Sequence, residues 1–338
     1  MLARSASRAS DPARAARIAH DALVLAESLG LDDVRATALA SLGSAKLELD
    51  DELGFADLEE SIELALAIGS HEAIRGNVGF AHYLRHRGQF TRSVTFFEEA
   101  LRLSEQYGST PQRRMLAGML PQQRFRQGRW DEALDAADAY LAEVPDRHYH
   151  RWQALQTRGL IRLSRGDEGG IDDAVAGIEA ARSSVDLSVL CSALGIYGRL
   201  LVLVGRLDEA RDALDESLAI FGSLHGRSGF DLPYIVVTAY ELGEDGSRVL
   251  TPLRDRTWAK AARAYFDGDL VVAANRYAAI GSLSDEAEAR LRAGEHLLAA
   301  GRRAEADTQL QKALDFYRPV RATRLVRRAE ALLLEVPA

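Results

Sequence analysis

Cysteine is almost missing from this sequence, which contains one such residue, Cys191, among 338. A single thiol excludes an internal disulfide framework and any metal site built from several thiolates. Cys191 lies at helical spacing with Leu194 and Tyr197, and a small thiol in such a position usually packs as an apolar side chain. We therefore predict that Cys191 is buried.

Long hydrophobic runs are also missing. The longest apolar stretches, such as residues 200–204, are interrupted by arginine or glycine within a turn or two, whereas a membrane-spanning helix needs about 18 or more apolar residues in succession. The N-terminal residues MLARSASRAS are basic and rich in serine, but they lack the apolar segment of a secretory signal. We expect a cytoplasmic protein without a membrane partner.

Lysine is scarce, and acidic residues outnumber basic ones. Only Lys46, Lys260 and Lys312 are lysines among 42 basic residues, and 50 acidic residues give a formal net charge of -8. A negative protein repels nucleic acid and anionic membranes at long range. The composition therefore disfavours nucleic acid as a partner, although one basic face on a helical array remains an open alternative.

Signatures of nucleotide-binding and hydrolytic enzymes are missing as well. No GxxxxGKS/T loop, GxGxxG turn after a strand or GxSxG elbow occurs. His82 and His86 lie four residues apart on one predicted helix, but a metal site needs a third ligand, and the sequence supplies no obvious one nearby. We predict a protein that is not an enzyme and holds no cofactor or metal. An unrecognised catalytic site in a cleft of the array is the alternative.

A repeated helical pattern is what the sequence does contain. In residues 205–221, GRLDEARDALDESLAIF, apolar side chains recur at the spacing of one face of an α-helix. Residues 187–201 carry a similar apolar stripe, and Gly205 supplies the positive φ that ends a helix. The pattern predicts two helices joined by a very short turn.

Glycines at the same point of this pattern recur at a nearly constant interval. Gly88 precedes Gly128 by 40 residues, the next two intervals are 38 and 39, and an interval near the C-terminus is 33. Such a period is typical of stacked helical arrays, in which each hairpin buries its apolar stripe against the next. We predict an all-α, right-handed superhelix (solenoid) of about eight stacked antiparallel helical hairpins. The turn glycines are Gly88, Gly128, Gly166, Gly205, Gly268 and Gly301.

The array is interrupted after Gly205. Gly205 and Gly268 are 63 residues apart, about one and a half periods, and residues 222–229 contain three glycines and two serines, which suggests a hinge. The predicted domains are 1–221, a helical array that begins within a repeat; 222–255, a Gly/Ser-rich loop and irregular helical connection; and 256–338, C-terminal helical repeats. Residues 234–240 are predicted to be helical, and Pro121 is expected to kink or divide its helix.

The turn residues resemble those of the tetratricopeptide repeat. In several hairpins a turn glycine is followed by a large apolar residue two positions on and a small residue five positions on, and a small residue stands seven positions before it. The residues that carry the resemblance are Gly88, Phe90 and Ser93; Gly128, Trp130 and Ala133; Gly205, Leu207 and Ala210; Gly268, Leu270 and Ala273; and Ala81, Gly198, Ala261 and Gly294. The resemblance implies tandem helical hairpins.

The C-terminal third carries a second resemblance. Its residues are Tyr277, Ile280, Gly281, Ser282, Asp285, Glu286, Ala287, Ala289, Arg290, Leu291, Arg292, Ala293, Gly301, Arg302, Phe316 and Tyr317. This stretch resembles the end of bacterial, especially actinobacterial, multidomain proteins in which an adenylate or guanylate cyclase domain and an AAA-type ATPase precede a tetratricopeptide-like tail. Similar tails occur in LuxR-type regulators. The resemblance implies a signalling or transcription-regulatory context, and no residue here matches the cyclase or ATPase motifs.

The predicted function is partner binding. A preformed concave surface loses little entropy when a peptide docks, so we interpret the chain as a non-catalytic protein- or peptide-binding scaffold of a bacterial regulatory system. The alternative is a peptide- or ligand-sensing regulator in which binding changes the pitch of the superhelix. The predicted concave-surface residues, which would pair with acidic groups of a partner, are Arg75, His82, Arg85, Gln122, Arg158 and Arg199. Helix dipoles alone also favour arginines at helix ends.

Overall fold

The protein is helical throughout the part of the chain that the structure describes. The computed structural model describes residues 11–145, 148–184, 186–223, 231–251, 253 and 256–334, which form eighteen α-helices and no β-strand. None of these helices combines the length and the apolar character that crossing a bilayer requires. The all-α prediction is confirmed. The helices are α1 (Pro12–Leu29), α2 (Asp32–Glu48), α3 (Gly54–Ala67), α4 (Glu72–His86), α5 (Phe90–Gln106), α6 (Thr110–Arg126), α7 (Trp130–Glu143), α8 (Arg151–Ser164), α9 (Gly170–Arg182), α10 (Leu187–Leu203), α11 (Leu207–Ser223), α12 (Leu232–Glu241), α13 (Ser247–Leu250), α14 (Thr257–Phe266), α15 (Leu270–Ile280), α16 (Leu283–Ala299), α17 (Arg303–Tyr317) and α18 (Thr323–Leu334).

Consecutive helices are joined by short turns and form antiparallel hairpins. From α2 and α3 to α16 and α17 the described helices make eight hairpins, with α1 before the first and α18 after the last. Glycine ends the first helix of most hairpins with a positive φ, for example 76° at Gly128 and 77° at Gly205, a conformation that residues with a Cβ rarely adopt. The turn between α2 and α3 lacks this glycine, and there Asp50 takes the positive φ, 63°.

The apparent gap between Gly205 and Gly268 contains a shortened hairpin. Its first helix, α12, confirms the helix predicted at residues 234–240, and Gly243 makes the turn after it with a φ of 70°. The second helix, α13, has only four residues. The predicted division at 222–255 stays a prediction, and residues 224–229, most of the candidate hinge, lie outside the described residues.

The chain divides into two compact units. Unit 1 comprises the described residues up to Arg85 together with Gln89–Leu116, and unit 2 comprises His86–Gly88 and the described residues from Ala117 onward. The boundary falls within α6. This helix runs through Pro121 to Arg126, so the proline does not divide it.

Unit 1 is built around small and aromatic side chains between its hairpins. The ring of Phe80 in α4 lies 5.3 Å from that of Phe55 in α3 and 4.2 Å from that of Phe96 in α5, between ring centroids. In α2, a Cβ on Gly43 would lie 2.5 Å from the carbonyl oxygen of Gly54 in α3. Glycine at these positions lets the two helices of the first hairpin approach closely.

Unit 2 closes on itself. Its main apolar core joins side chains of α6–α10 to side chains of α16–α18. Arg324 of α18 donates hydrogen bonds to the carbonyl oxygens of Leu163 at 3.0 Å and Leu203 at 3.1 Å, at the ends of α8 and α10. Arg165 donates to the carbonyl oxygen of Val320 at 3.1 Å. The last helices of unit 2 therefore cover side chains that an open array would leave on its inner face.

Cys191 of α10 is fully buried, as predicted. Its Sγ lies 3.6 Å from the carbonyl oxygen of Ser217 in α11. Burial raises the pKa of this thiol to about 11, because a thiolate would be poorly solvated there. Cys191 therefore remains a neutral thiol near pH 7.

Candidate functional site

One face of α4 in unit 1 is partly exposed and carries three of the predicted binding residues. Arg75, Val78, Gly79, His82 and Arg85 follow one another at helical spacing and are exposed or half-buried. We call these five residues the α4 stripe. The opposite face of the helix is buried, with exposures of at most 5% at Ala73, Ile74, Phe80, Ala81 and Leu84. The core of unit 1 therefore fixes the direction in which the stripe faces.

Arg75 is held by a weak ion pair. Its Nη1 lies 3.2 Å from both carboxylate oxygens of Glu72, and its side chain is 36% exposed. Exposed pairs of this kind contribute at most about 1 kcal/mol. The pair of Arg75 and Glu72 therefore contributes little to the stability of the fold.

Gly79 leaves the middle of the α4 stripe without a side chain. A Cβ at this position would meet no atom within 4 Å, so packing does not require glycine here. Gly79 lies four residues after Arg75 and three before His82. The Nδ1 atom of His82 is 3.4 Å from Nη2 of Arg85. The helix backbone at Gly79 is therefore not covered by a side chain of its own.

His82 and His86 lie one turn apart on α4, the spacing of a two-histidine ligand pair. A structural or catalytic metal needs at least three protein ligands. Among the residues that the structure describes, no group of three or more His, Cys, Asp or Glu side chains is arranged to hold a metal ion.

Gln122 lies in the interior of unit 2 rather than on an open surface. It is 1% exposed, and its amide nitrogen donates to Asp231 at 3.1 Å. Its amide oxygen accepts a hydrogen bond of 3.1 Å from Gln153. Both ends of the amide are used to connect α6 with α8 and with the residue that precedes α12.

Arg158 is engaged by two aspartates. Its Nε and Nη2 donate to the carboxylate of Asp173 at 3.0 and 2.5 Å, and its Nη1 donates to Asp138 at 2.6 Å. Arg162 donates to the same Asp173 at 3.0 Å. The guanidinium of Arg158 is therefore neutralised within unit 2.

Arg199 belongs to a buried ion network. It is 5% exposed, and its Nη2 donates to Glu288 at 2.7 Å. The other oxygen of Glu288 accepts from Arg292 at 2.9 Å, and Arg292 also lies 2.5 Å from Glu241 and 3.0 Å from Glu295. Burial raises the pKa of Glu288, but Arg199 and Arg292 outweigh this and lower it from 4.5 to about 2. Because α16 covers α10, Arg199 lies in a helix interface and not on the open inner surface that its spacing predicted.

Another buried arginine, Arg126, was not among the predicted residues. It is fully buried at the end of α6, pairs with Asp285, and lies 4.9 Å from the ring centroid of Tyr234. Burial opposes its charge, but Asp285 keeps the pKa of the guanidinium above its usual value. The sequence feature that could have indicated a buried ion network is a row of charged residues on α16, where Asp285, Glu288 and Arg292 follow one another at intervals of about one turn.

Sequence comparison finds a known repeat in the segment that carries most of the α4 stripe. Residues 79–107 match the tetratricopeptide repeat. The tetratricopeptide match starts at Gly79, includes His82 and Arg85, and continues through the turn at Gly88 into α5. No curated protein matches the chain.

One similar solved structure has a TM-score above 0.5. The apo form of the quorum sensor NprR from B. thuringiensis is similar with a TM-score of 0.54 and 13% identity, covering 93% of this chain and 85% of that chain. A circular tandem repeat protein with a novel repeat topology has a TM-score of 0.27 and 15% identity, covering 98% and 86%. The tetratricopeptide domain of P58(IPK) has a TM-score of 0.25 and 16% identity, covering 98% and 96%. The first of these similarities supports a tetratricopeptide-like fold.

Proposed function

We propose that this protein is a non-catalytic scaffold that captures a protein or peptide, and that the α4 stripe is the capturing surface. The observation that carries the proposal is that an open helix face lies largely within the segment that matches a tetratricopeptide repeat. Arrays of such hairpins typically bind partners on exposed helix faces. The buried face of α4 holds the stripe in place before a partner arrives, which reduces the entropy lost on binding.

The partner is proposed to carry acidic side chains. Arg75 and Arg85 lie at the two ends of the stripe, and a guanidinium can bind a carboxylate through two parallel hydrogen bonds. His82 and the bare backbone at Gly79 lie between them, where an extended chain could approach closely. Of the six predicted residues, Gln122, Arg158 and Arg199 belong to unit 2, where Gln122 and Arg199 are buried, so the proposed surface on α4 is narrower than the predicted one.

The setting is proposed to be a bacterial signalling or regulatory system. The support is the similarity in fold to a protein described as a quorum sensor, together with the resemblance of the C-terminal repeats to the tails of signalling proteins. The same support favours a second function, a peptide- or ligand-sensing regulator whose helical array changes pitch on binding.

Charge reversal tests the capturing surface. Arg75→Glu and Arg85→Glu are combined in the whole protein, and fluorescence anisotropy measures binding of labelled acidic, neutral and basic peptide pools of equal length. The acidic pool should bind most tightly to the wild type, and the double variant should lose at least about ten-fold in affinity, since two charged contacts become repulsive. Scattering by the same samples tests the sensing alternative, which requires the protein to become more compact when the peptide binds.

The matched control is Arg102→Glu. Arg102 is an exposed arginine of α5 in the same unit, paired with Glu99, and its reversal changes the net charge in the same direction without touching the α4 stripe. Equal loss of affinity in the control, or equal binding of acidic and neutral pools, would rule out the stripe as the site. Arg199, another of the predicted binding residues, is not used for charge reversal, because Arg199→Glu would bury a new carboxylate against Glu288.

A further inference from the structure

Unit 2 contains a partly open cavity of about 40 Å³. It lies where helices from the beginning of the unit meet α16, α17 and α18. Its polar wall includes Arg199, Glu288 and Tyr317, and leucines of three helices form an apolar side: Leu160, Leu203 and Leu325. The cavity is therefore polar at one end and apolar at the other.

Three hydrogen-bond donors on the wall have no partner among the described residues. They are Nη1 of Arg199 and the hydroxyls of Tyr234 and Tyr317, and all three residues are at most 5% exposed. Leaving such groups unpaired away from bulk water is strongly unfavourable, above all for a guanidinium. The cavity is thus built to receive an atom that accepts hydrogen bonds.

The acceptors on the wall are already engaged. One oxygen of Glu288 accepts from Arg199 at 2.7 Å and the other from Arg292 at 2.9 Å, while Asp285 pairs with Arg126 and accepts from the Ser282 hydroxyl. A cation would find three arginines close by and few free carboxylate oxygens. An apolar guest would leave the three donors unpaired.

We propose that this cavity binds a small monocarboxylate of about the size of acetate. A cavity holds roughly one water for each 10–15 Å³ of this kind of volume, so the space suits a group of three or four non-hydrogen atoms. The carboxylate accepts from Nη1 of Arg199 and from the Tyr317 hydroxyl, and the methyl group faces the three leucines.

The same network already contains an arginine that pairs with several carboxylates. Arg292 lies within 3.0 Å of Glu241, Glu288 and Glu295. Arg199 would act in the same way and bridge Glu288 to the bound acid. The site is separate from the α4 stripe, so the test of acetate binding and the test of peptide capture can fail independently of each other.

Calorimetric titration of the whole protein with acetate tests the proposal. Sodium chloride at equal ionic strength is the reference, and acetamide, a neutral molecule of the same size, tests the need for charge. Acetate should bind saturably, and Tyr317→Phe should weaken its binding about ten-fold or more, because a hydrogen bond to a charged acceptor is lost. Arg199→Lys keeps the charge but lacks Nη1, and it should weaken binding as well.

Tyr265→Phe is the matched control. Tyr265 is also a fully buried tyrosine of unit 2 whose hydroxyl has no partner among the described residues, but it does not line the cavity. Its substitution should leave acetate binding unchanged. The proposal fails if acetate behaves like chloride, which would mean that the cavity holds water only. It also fails if acetamide binds as tightly as acetate, or if Tyr317→Phe binds acetate like the wild type.

Discussion

Replacing Glu288 by glutamine should destabilise unit 2 in a way that depends on pH. Glu288 stands between two buried arginines, with its carboxylate 2.7 Å from Arg199 and 2.9 Å from Arg292. Gln keeps the size of the side chain but removes the charge that the two guanidinium groups require. Both arginines would stay buried, and each would lose a charged partner.

The magnitude follows from the lowered pKa of Glu288. A fall from 4.5 to about 2 corresponds to a stabilisation by the charged form of about 3 kcal/mol at pH 7 and a little over 1 kcal/mol at pH 3. Because the pKa is lower in the folded than in the unfolded protein, this stabilisation is complete above about pH 5 and disappears as the pH falls toward 2. Glu288→Gln should therefore lower the free energy of unfolding by about 3 kcal/mol at pH 7 and by only about 1 kcal/mol at pH 3.

Tryptophan fluorescence during urea unfolding measures this difference. All three tryptophans, Trp130, Trp152 and Trp258, belong to unit 2, so the signal reports the unit that contains the network. Glu305→Gln is the control. Glu305 of α17 forms an exposed ion pair with Arg302, so its substitution should have no measurable effect on the free energy of unfolding. The reasoning is refuted if Glu288→Gln is as stable as the wild type at pH 7, or if the difference between them is the same at pH 3.

Two further predictions concern the turns and the buried thiol. Gly205→Ala should lower the free energy of unfolding by about 1 kcal/mol through its positive φ alone. Gly128→Ala should lower it by more, because the new Cβ would also lie 2.9 Å from Phe316. Urea unfolding compares the two variants, and equal decreases in the free energy of unfolding would contradict the role of Phe316. Cys191 should resist alkylation by iodoacetamide near pH 8 in the folded protein and react in urea, because burial raises its pKa to about 11; modification of the native protein detected by mass spectrometry would contradict this.

Hairpin boundaries could be predicted because they depend on local chemistry. Gly128 and Gly205 end helices with a positive φ, and this requirement is visible in the sequence as a regularly spaced glycine. The hairpin between Gly205 and Gly268 was missed although Gly243 follows Gly205 by 38 residues, a full period. Its second helix has only four residues, too few to show the spacing of an amphipathic helix.

The environment of the predicted binding residues could be predicted only in part. Helical spacing indicates which face of its own helix a side chain occupies, and for Arg75 that face is open. For Arg199 the same spacing gives no sign of Glu288, which lies 89 residues further along the chain and covers it. A period of about 40 residues describes contacts between neighbouring hairpins, and contacts over longer separations leave no periodic trace.

The closure of unit 2 has a consequence for how the protein is made. The end of α6 finds its partners 159 residues later, where Asp285 pairs with Arg126 and Ser284 binds the carbonyl oxygen of Phe125. An open array can fold hairpin by hairpin as it leaves the ribosome, but here the earliest helices of the unit must wait for nearly the last ones. Until α16 has been synthesised, Asp285 and Ser284 cannot cover the end of α6, so we expect the nascent chain to expose apolar surface there, to chaperones or to aggregation, for longer than an open array would.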